Sequence, residues 1–382
     1  VIFTPYRLLP EEFDAARQKA VVTSRRKTHT AFIRDVNVFL ENQRLEIGRI
    51  LSELECEGRP FTVRDVTSAY RQRYNNRYVH TFFRRQIEDL CKEGALGTAN
   101  KYKATLVAFE KFAGSRRVDF DSVDENMLLD FERYLRQIPL SPNTVTFYLS
   151  NFRAVYNKAQ KRGYVTHGKS PFRAVSVHIE KTRKLAVSAE VIRRVAASEF
   201  PDSHKLNCAR DMFMFSFYTR GMSFVDMAYL TTNHVQRLAD GNYIVYKRNK
   251  IKHQKNVTAI RIHITPEIQG LIERLKSASP TVDNYLLPII TSSGYTGEKL
   301  YNHIRSRYAK YQKYLKSLAE ELGIDYHLTS YVSRHTMAMT LQYNKIPREI
   351  ISQMLGHADL ETTNTYLDSF DNKVINEAAK VL

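Results

Sequence analysis

Cysteine is scarce in this chain of 382 residues, which contains only Cys56, Cys91 and Cys208. The three are far apart, odd in number, and no CxxC pair occurs. Neither a disulfide framework nor a zinc site is therefore expected, and a reducing cytoplasm fits this usage.

Long apolar runs are also missing. The sequence has no stretch long enough to span a bilayer, and it shows no secretory signal, lipidation signal, internal repeat or low-complexity tract. These absences disfavour a membrane protein. The chain begins with Val1 rather than Met, so we expect that an N-terminal piece has been removed.

Positive charge, by contrast, is abundant. Lys and Arg number 58 against 40 Asp and Glu, which gives a net charge of +18 and a pI near 9.6. The basic clusters are spread along the whole chain, and any one of them is typical of a solvated surface. The total excess costs self-repulsion unless a polyanion is the usual partner, and here nucleic acid is favoured over a membrane.

The spacing of apolar residues divides the chain into five segments. Residues 1–78 predict a short extended segment at 1–4, a helix at 34–54 and a second helix capped by Thr62, which together form a basic module. Residues 79–180 predict four amphipathic helices packed as a bundle. Residues 181–187 read as a polar, basic linker, residues 188–369 as the last domain, and residues 370–382 as an amphipathic C-terminal segment.

The last domain combines helices with a small sheet. Ser188 is predicted to cap its first helix, and two alternating strands at 243–247 and 257–264 flank a basic turn. Helices are predicted at 267–276, 299–322, 330–343, 348–355 and 361–369. The expected fold class is therefore mainly α with a small antiparallel β-sheet in this domain.

Three short polar motifs follow one another near the end of the chain. They read Arg334-His335, Leu355-Gly356-His357 and Thr362-Thr363-Asn364-Thr365-Tyr366. At this spacing the set resembles box II of the tyrosine recombinases, the phage-integrase family that cuts and rejoins DNA through a phosphotyrosine. The match is far more specific than a lone glycine motif.

Phosphotyrosine chemistry needs several cations around one phosphate. The pKa of tyrosine is about 10, so about one side chain in a thousand is ionised at pH 7, a deficit of about 4 kcal/mol. An arginine binds two phosphate oxygens and never deprotonates. A histidine can assist at the phosphate or accept the tyrosine proton, and a desolvated lysine can protonate the leaving 5′-oxygen.

The resemblance assigns roles to the residues of box II. Tyr366 is the expected nucleophile, Arg334 the second arginine of the family, and His357 the histidine that follows Leu-Gly. His335 is expected to support the fold through a buried hydrogen bond. The family often has His or Lys three residues before the arginine. Here that residue is Tyr331, whose hydroxyl can bond a phosphate oxygen but carries no positive charge at neutral pH.

The general acid is expected on the β-hairpin, where the family carries its catalytic lysine. Lys250 aligns best with that position, and Lys252 and Lys247 are the alternatives. Such a run of lysines is also typical of a turn that is solvated or binds the DNA backbone.

The first arginine is where this sequence departs from the family. Members usually show Thr-Gly-x-Arg, then an acidic residue three positions later, and here Ser223 stands where that arginine belongs. Asp226 occupies the acidic position and is expected to orient a cation. We expect Arg220 to replace the missing arginine, with Ser223 at most a minor phosphate donor. The alternative is that Arg220 only ends a helix favourably.

Two upstream motifs read Gly97-Thr98-Ala99-x-x-Tyr102 and Ser141-x-Asn143-Thr144. They resemble the core-binding helical bundle of integrases from conjugative transposons and other integrative elements. The resemblance implies an arm-type DNA-binding module at 1–78, a helical, SAM-like core-binding domain at 79–180, a catalytic domain at 188–369, and a segment at 370–382 that exchanges between subunits. It implies a bacterial, DNA-associated recombinase (an integrase/excisionase or an invertase) that forms a 3′-phosphotyrosine and a Holliday junction. Its expected partners are double-stranded DNA with specific sites, further copies of the chain in a dimer or tetramer, and DNA-bending accessory proteins.

No cofactor and no metal are implied, because the phosphotyrosine bond stores the energy of the cut strand. Two other functions stay open at this point. One is a sequence-specific DNA-binding protein with impaired catalysis, which the Ser223 and Tyr331 departures suggest. The other is a topoisomerase-like enzyme that relaxes DNA with the same tyrosine chemistry.

Overall fold

The computed structural model describes residues 6–23, 30–58, 60–165, 170–175, 177, 179–180, 185–251, 258–356, 363–364 and 367. The chain separates into two compact units, Val1–Glu180 and Lys181–Leu382. The extended segment predicted at 1–4 and the C-terminal segment predicted at 370–382 lie outside the described residues, as does most of the helix predicted at 361–369.

In its described residues, the first unit consists of helices and one short hairpin joined by loops. Strands β1 (Phe13–Asp14) and β2 (Lys19–Ala20) pair antiparallel. The helices that follow are α1 (Thr30–Cys56), α2 (Val63–Asn76), α3 (Val79–Lys92), α4 (Leu96–Ala113), α5 (Glu125–Gln137) and α6 (Pro142–Lys161). The two helices predicted within residues 30–76 and the four predicted after residue 78 are confirmed, with ends shifted by a few residues.

Aromatic packing explains why α3 to α6 form one bundle. Phe82, Phe83, Phe109, Phe131 and Phe152 are fully or almost fully buried and belong to a single core cluster. The ring centroids of Phe109 and Phe152 are 4.8 Å apart. Each such side chain buries enough apolar surface to contribute about 2 kcal/mol or more. This burial agrees with the helical bundle that the sequence predicts for residues 79–180.

Several helices begin at side chains that cap their first turn. Thr62 and Asp65 exchange hydrogen bonds at the start of α2, and Ser188 accepts a hydrogen bond from the N–H of Val191. Asp124 and Ser141 do the same for α5 and α6. These caps satisfy N–H groups that have no partner within the helix, and they fix where each helix starts.

The second unit surrounds one large core with helices and carries a three-stranded sheet. Its helices are α7 (Ala189–Ala197), α8 (His204–Tyr218), α9 (Phe224–Ala228), α10 (Pro266–Ala278), α11 (Gly297–Glu321), α12 (Ser330–Tyr343) and α13 (Arg348–Leu355). The core includes Val195, Phe213, Leu271 and Leu315, which come from α7, α8, α10 and α11. Among the described residues, no helix is both long and apolar enough to cross a bilayer.

The sheet lies between α9 and α10 in the sequence. Strands β3 (Val235–Leu238), β4 (Gly241–Tyr246) and β5 (Ile260–His263) pair antiparallel in that order. Ile244 and Tyr246 on β4 and Ile260 and Ile262 on β5 point into the core, as the alternation predicted. The predicted hairpin is therefore confirmed. Strand β3 was not predicted.

Candidate active site

A cavity of about 340 Å³ lies in the second unit where α9, the turn after β4, α11 and the start of α12 meet. Among the described residues, the cationic side chains that line it are Arg248, Lys250 and Arg334. Ser223, Asp226, Asn249 and Tyr331 also line it. The structure thus brings together side chains that are up to 111 residues apart in the sequence, between Ser223 and Arg334.

Arg334 is fixed between two helix ends. It is only 4% exposed, and its guanidinium donates hydrogen bonds of 2.7 Å to the carbonyls of Gly221 and Leu355. Gly221 follows α8, and Leu355 is the last residue of α13. Carbonyls at a helix end carry partial negative charge and therefore stabilise a cation. A guanidinium held in this way is oriented before any ligand arrives.

Gly221 is required by this close approach. Its φ is +70°, which favours glycine, and a Cβ atom at this position would lie 2.6 Å from Cγ and 2.9 Å from Cα of Arg334. The glycine therefore serves both the turn after α8 and the packing of the arginine.

Arg248 is the cavity residue that the sequence reasoning missed. It begins the turn after β4, and its guanidinium donates a 3.2 Å hydrogen bond to the carbonyl of Gly356. Gly356 has φ +63°, and a Cβ there would lie 3.1 Å from Cδ of Arg248 and 2.4 Å from Ile260. Two successive carbonyls, Leu355 and Gly356, therefore bind one arginine each. The only sequence signal was membership in the basic run at 247–250.

Arg220 occupies a different place from the one that a phosphate-binding role suggests. Its φ is +59°, a left-handed conformation that costs a non-glycine residue about 1 kcal/mol, and it lies two residues beyond Tyr218, the last residue of α8. Its side chain is half-buried and is not among the residues that line the cavity. Burial lowers the pKa of Arg220, and the phenols of Tyr246 and Tyr243 on β4 oppose that shift. Its role as the replacement arginine stays a prediction.

Ser223 and Asp226 bond to each other rather than to a cation. Ser223 caps α9: its hydroxyl accepts the N–H of Asp226 at 3.2 Å and donates to one carboxylate oxygen of Asp226 at 2.7 Å. The other oxygen accepts the backbone N–H of Asn249 at 2.7 Å. Asp226 is 5% exposed, so its carboxylate is a buried link between α9 and the turn after β4.

Three aromatic and imidazole groups surround the arginines. Tyr331 is half-exposed at the cavity wall, and His335, one helical turn further on, is 7% exposed. Their ring centroids are 6.1 Å apart. Burial raises the pKa of Tyr246 well above its ordinary value, and the negative charge of Asp226 raises it further. The nearby arginines, Arg334 foremost, oppose this rise. The phenol of Tyr246 is therefore neutral at physiological pH.

The remaining predicted residues divide into two groups. Lys250 is exposed and lines the cavity, while Lys247 is exposed and does not line it. Lys252, His357 and Tyr366 lie outside the described residues. Within those residues, no group of three His, Cys, Asp or Glu side chains is arranged to hold a metal ion.

The neighbours of Tyr366 in the sequence are nevertheless anchored. Leu367 is fully buried in a small core cluster with Ala338 of α12 and with residues of α13. Its carbonyl accepts a 3.4 Å hydrogen bond from Gln342, and Asn364 accepts one of 3.1 Å from Arg348. The chain is thus held against α12 and α13 on both sides of the tyrosine.

Comparisons with known families and sequences agree with one another. A phage integrase SAM-like domain model matches residues 78–177, and the phage integrase family model matches residues 193–373. The tyrosine recombinase XerD of Staphylococcus saprophyticus is 25% identical over 273 residues, which cover 70% of this chain and 86% of the relative. The XerD of Listeria innocua is 23% identical over 277 residues, with the same coverage of both chains.

Solved structures show a similar fold. The Tn1549 transposon integrase in complex with transposon right end DNA matches 80% of this chain and 99% of its own, with a TM-score of 0.56 and 13% identity. The XerH recombinase bound to a palindromic difH substrate matches 88% and 94%, with a TM-score of 0.56 and 18% identity. A lambda integrase dimer bound to a core site matches 76% and 97%, with a TM-score of 0.54 and 14% identity.

Proposed function

Because the chain belongs to the phage integrase family and is a tyrosine site-specific recombinase, we propose that it cuts and rejoins DNA at the cavity of Arg334, Arg248 and Lys250. One observation carries this assignment. Two guanidinium groups are fixed by the successive carbonyls of Leu355 and Gly356, in a cavity that also contains a lysine. Such an arrangement fits the non-bridging oxygens of one phosphate.

The proposed reaction conserves the phosphate ester. The phenolic oxygen of Tyr366 attacks the phosphorus, a P–O bond to tyrosine forms, and the bond to the 5′-oxygen breaks. Lys250 supplies the proton to that oxygen, and His357 assists at the phosphate or accepts the phenolic proton. Arg334 and Arg248 stabilise the charge that builds up on the phosphate oxygens. Religation is the reverse reaction with a new 5′-hydroxyl.

The structure and the sequence differ on which residue replaces the family's first arginine. The sequence favours Arg220, whereas the cavity contains Arg248. We propose Arg248 for this role because it lines the same cavity as Arg334 and is held by the neighbouring carbonyl. Because Tyr331 lines the cavity, we propose that its hydroxyl donates a hydrogen bond to the phosphate, whereas Ser223 is bonded to Asp226.

The nucleophile is proposed to act within its own subunit. Leu367, which follows Tyr366, is buried against α12 and α13 of the same chain, and Asn364 is bonded to Arg348. These contacts keep the segment close to Arg334 on α12. They favour attack by Tyr366 at the phosphate bound in the same catalytic domain.

The substrate is proposed to be double-stranded DNA with specific recombination sites. The solved relatives named above include an integrase with transposon-end DNA and a recombinase with its difH substrate, and the charge of +18 suits such a partner. We further propose action in the bacterial cytoplasm, one dimer on each site and a tetramer in the synapse. The domain limits at 78, 180 and 188 and the exchange segment at 370–382 are part of the same proposal.

A nicked suicide substrate tests the reaction directly. Loss of the short strand below the nick prevents religation, so the protein accumulates as a covalent adduct that survives denaturing electrophoresis. Tyr366→Phe is expected to bind DNA normally and form no adduct, since only the nucleophilic oxygen is removed. An unmutated protein that binds its sites but never forms the adduct would favour the alternative of a DNA-binding protein without catalysis.

A further inference from the structure

The turn that carries the cavity cations is tied down at one backbone atom. The N–H of Ile251 donates to the carbonyl of Arg248 at 3.1 Å, which closes a turn over residues 248–251. Asn249 and Lys250 occupy its two central positions. The N–H of Asn249 is not used within the turn, and it donates to Asp226 at 2.7 Å.

The buried carboxylate of Asp226 accepts the hydrogen bond from the N–H of Asn249. Its carboxylate is 5% exposed and receives one hydrogen bond from Ser223 and one from Asn249, at 2.7 Å each. Hydrogen bonds to an ionised acceptor are about twice as strong as neutral ones, and a buried carboxylate needs them to offset its lost hydration. The pair Asp226–Asn249 therefore fixes the turn between its two cationic residues.

The geometry also leaves the two cations available. Among the described residues, the Asp226 carboxylate accepts its hydrogen bonds from a hydroxyl and a backbone N–H, and not from the side chains of Arg248 or Lys250. A carboxylate bound directly to the guanidinium would compete with a phosphate for the same donors. Because Asp226 binds the backbone N–H of Asn249 instead, it positions Arg248 and Lys250 and does not occupy the N–H groups of their side chains.

We propose that Asp226 is a positioning residue that holds Arg248 and Lys250 in register with Arg334 through the N–H of Asn249. Ser223 orients Asp226 and does not contact the DNA. This inference rests on the proposed function. It also assigns a role to Ser223 at the family's usual arginine position. The Ser223 hydroxyl orients the Asp226 carboxylate, which in turn supports Arg248 from the hairpin.

The first test compares three substitutions on the nicked substrate under single-turnover conditions. A displacement of about 1 Å at a reacting group can cost about 100-fold, so Asp226→Ala is expected to slow cleavage by about that factor with DNA affinity unchanged. Asp226→Asn keeps an oxygen that accepts the Asn249 N–H and is expected to lose less than tenfold. Asp240→Ala is the charge-matched control, because Asp240 is exposed between β3 and β4, accepts a hydrogen bond from the hydroxyl of Tyr243 and does not line the cavity.

The second test asks whether Asp226 acts through the turn. In a protein that already carries Arg248→Ala and Lys250→Ala, Asp226→Ala is expected to cost less than threefold, because the groups it positions are gone. A 5′-bridging phosphorothiolate, whose sulfur leaves without a proton, is expected to recover at least part of the Asp226→Ala loss that passes through Lys250. A protein that is merely destabilised would stay slow on both substrates.

Two results would overturn the inference. One is wild-type cleavage by Asp226→Ala. The other is a full 100-fold loss in the background that lacks both cations. Failure of the proposed function gives a different pattern, in which Arg248→Ala and Lys250→Ala each cleave like the unmutated protein. If those two are impaired while Asp226→Ala is not, the positioning role alone is wrong.

Discussion

Replacing Arg248 distinguishes between Arg248 and Arg220 as the residue that takes the place of the family's first arginine. A guanidinium that stabilises a transferring phosphoryl group contributes about 10³- to 10⁵-fold in rate, or about 4–7 kcal/mol. Arg248→Ala is therefore expected to reduce cleavage by about a thousandfold or more. Arg220→Ala is expected to stay within about tenfold, because Arg220 does not line the cavity.

The effect on stability should be much smaller than the effect on rate. Arg248→Ala removes one hydrogen bond, 3.2 Å long, to the carbonyl of Gly356, which is worth about 1 kcal/mol. Arg248→Lys keeps the charge but offers no fork that can hold that carbonyl and a phosphate oxygen together. We expect it to recover only part of the activity.

Covalent adduct formation on the nicked substrate measures the rate, a gel shift measures binding, and thermal unfolding reports the fold. Arg237→Ala on β3 is the matched control, since it removes an exposed arginine from the same sheet. The reasoning is refuted if Arg248→Ala cleaves within tenfold of the unmutated protein while Arg220→Ala loses a thousandfold. In that case the sequence-based choice was right and the cavity is not the phosphate site.

Three further predictions follow from the same site. Gly221→Ala should lower the free energy of unfolding by about 2–4 kcal/mol and abolish most of the cleavage, because the new Cβ would lie 2.6 Å from Arg334. Gly294→Ala, at φ +71° in open space, should lower it by only about 1 kcal/mol. Urea titration compares the two variants, and equal losses would argue against the arginine contact. When the inactive Tyr366→Phe and Arg334→Ala proteins are mixed, no covalent adduct should form, because each subunit lacks either the tyrosine or the arginine. An adduct in the mixture would show that the tyrosine of one subunit attacks the phosphate bound by another. Burial raises the pKa of Tyr246, so above about pH 10 the folded protein binds more protons than the unfolded chain. The free energy of unfolding should therefore fall as the pH rises above about 10, and Tyr246→Phe should reduce that fall. An unchanged pH dependence of the urea midpoint in this variant would contradict the argument.

Helix starts could be predicted from the sequence where a capping side chain is recognisable, as at Thr62 and Ser188. The helices predicted at 330–343 and 348–355 also have the ends that the structure shows for α12 and α13. Strand β3 could not be predicted in the same way. Only one of its four residues is even partly buried, so the apolar alternation that reveals a half-buried strand is absent.

The candidate site could be predicted only in part, for a similar reason. Arg334 and Lys250 belong to recognisable motifs, and the structure places both at the cavity. Arg248 is one basic residue within a run, and what selects it is a carbonyl 108 residues further along the chain. Likewise, the sequence shows that Ser223 replaces an arginine, but not that it caps α9 and bonds Asp226. Contacts of this kind depend on tertiary packing and leave no local pattern.

The last residue of α13 connects two parts of the reaction. The carbonyl of Leu355 accepts a hydrogen bond from Arg334. The side chain of Leu355 is fully buried in the cluster that contains Leu367, the neighbour of Tyr366. A shift of about 1 Å at this helix end lengthens the bonds to Arg334 and to Arg248 beyond hydrogen-bonding distance at once. Docking of the tyrosine segment and orientation of both arginines are therefore thermodynamically linked. We therefore expect that a subunit whose segment has left this cluster loses the proposed phosphate-binding geometry together with the proposed nucleophile.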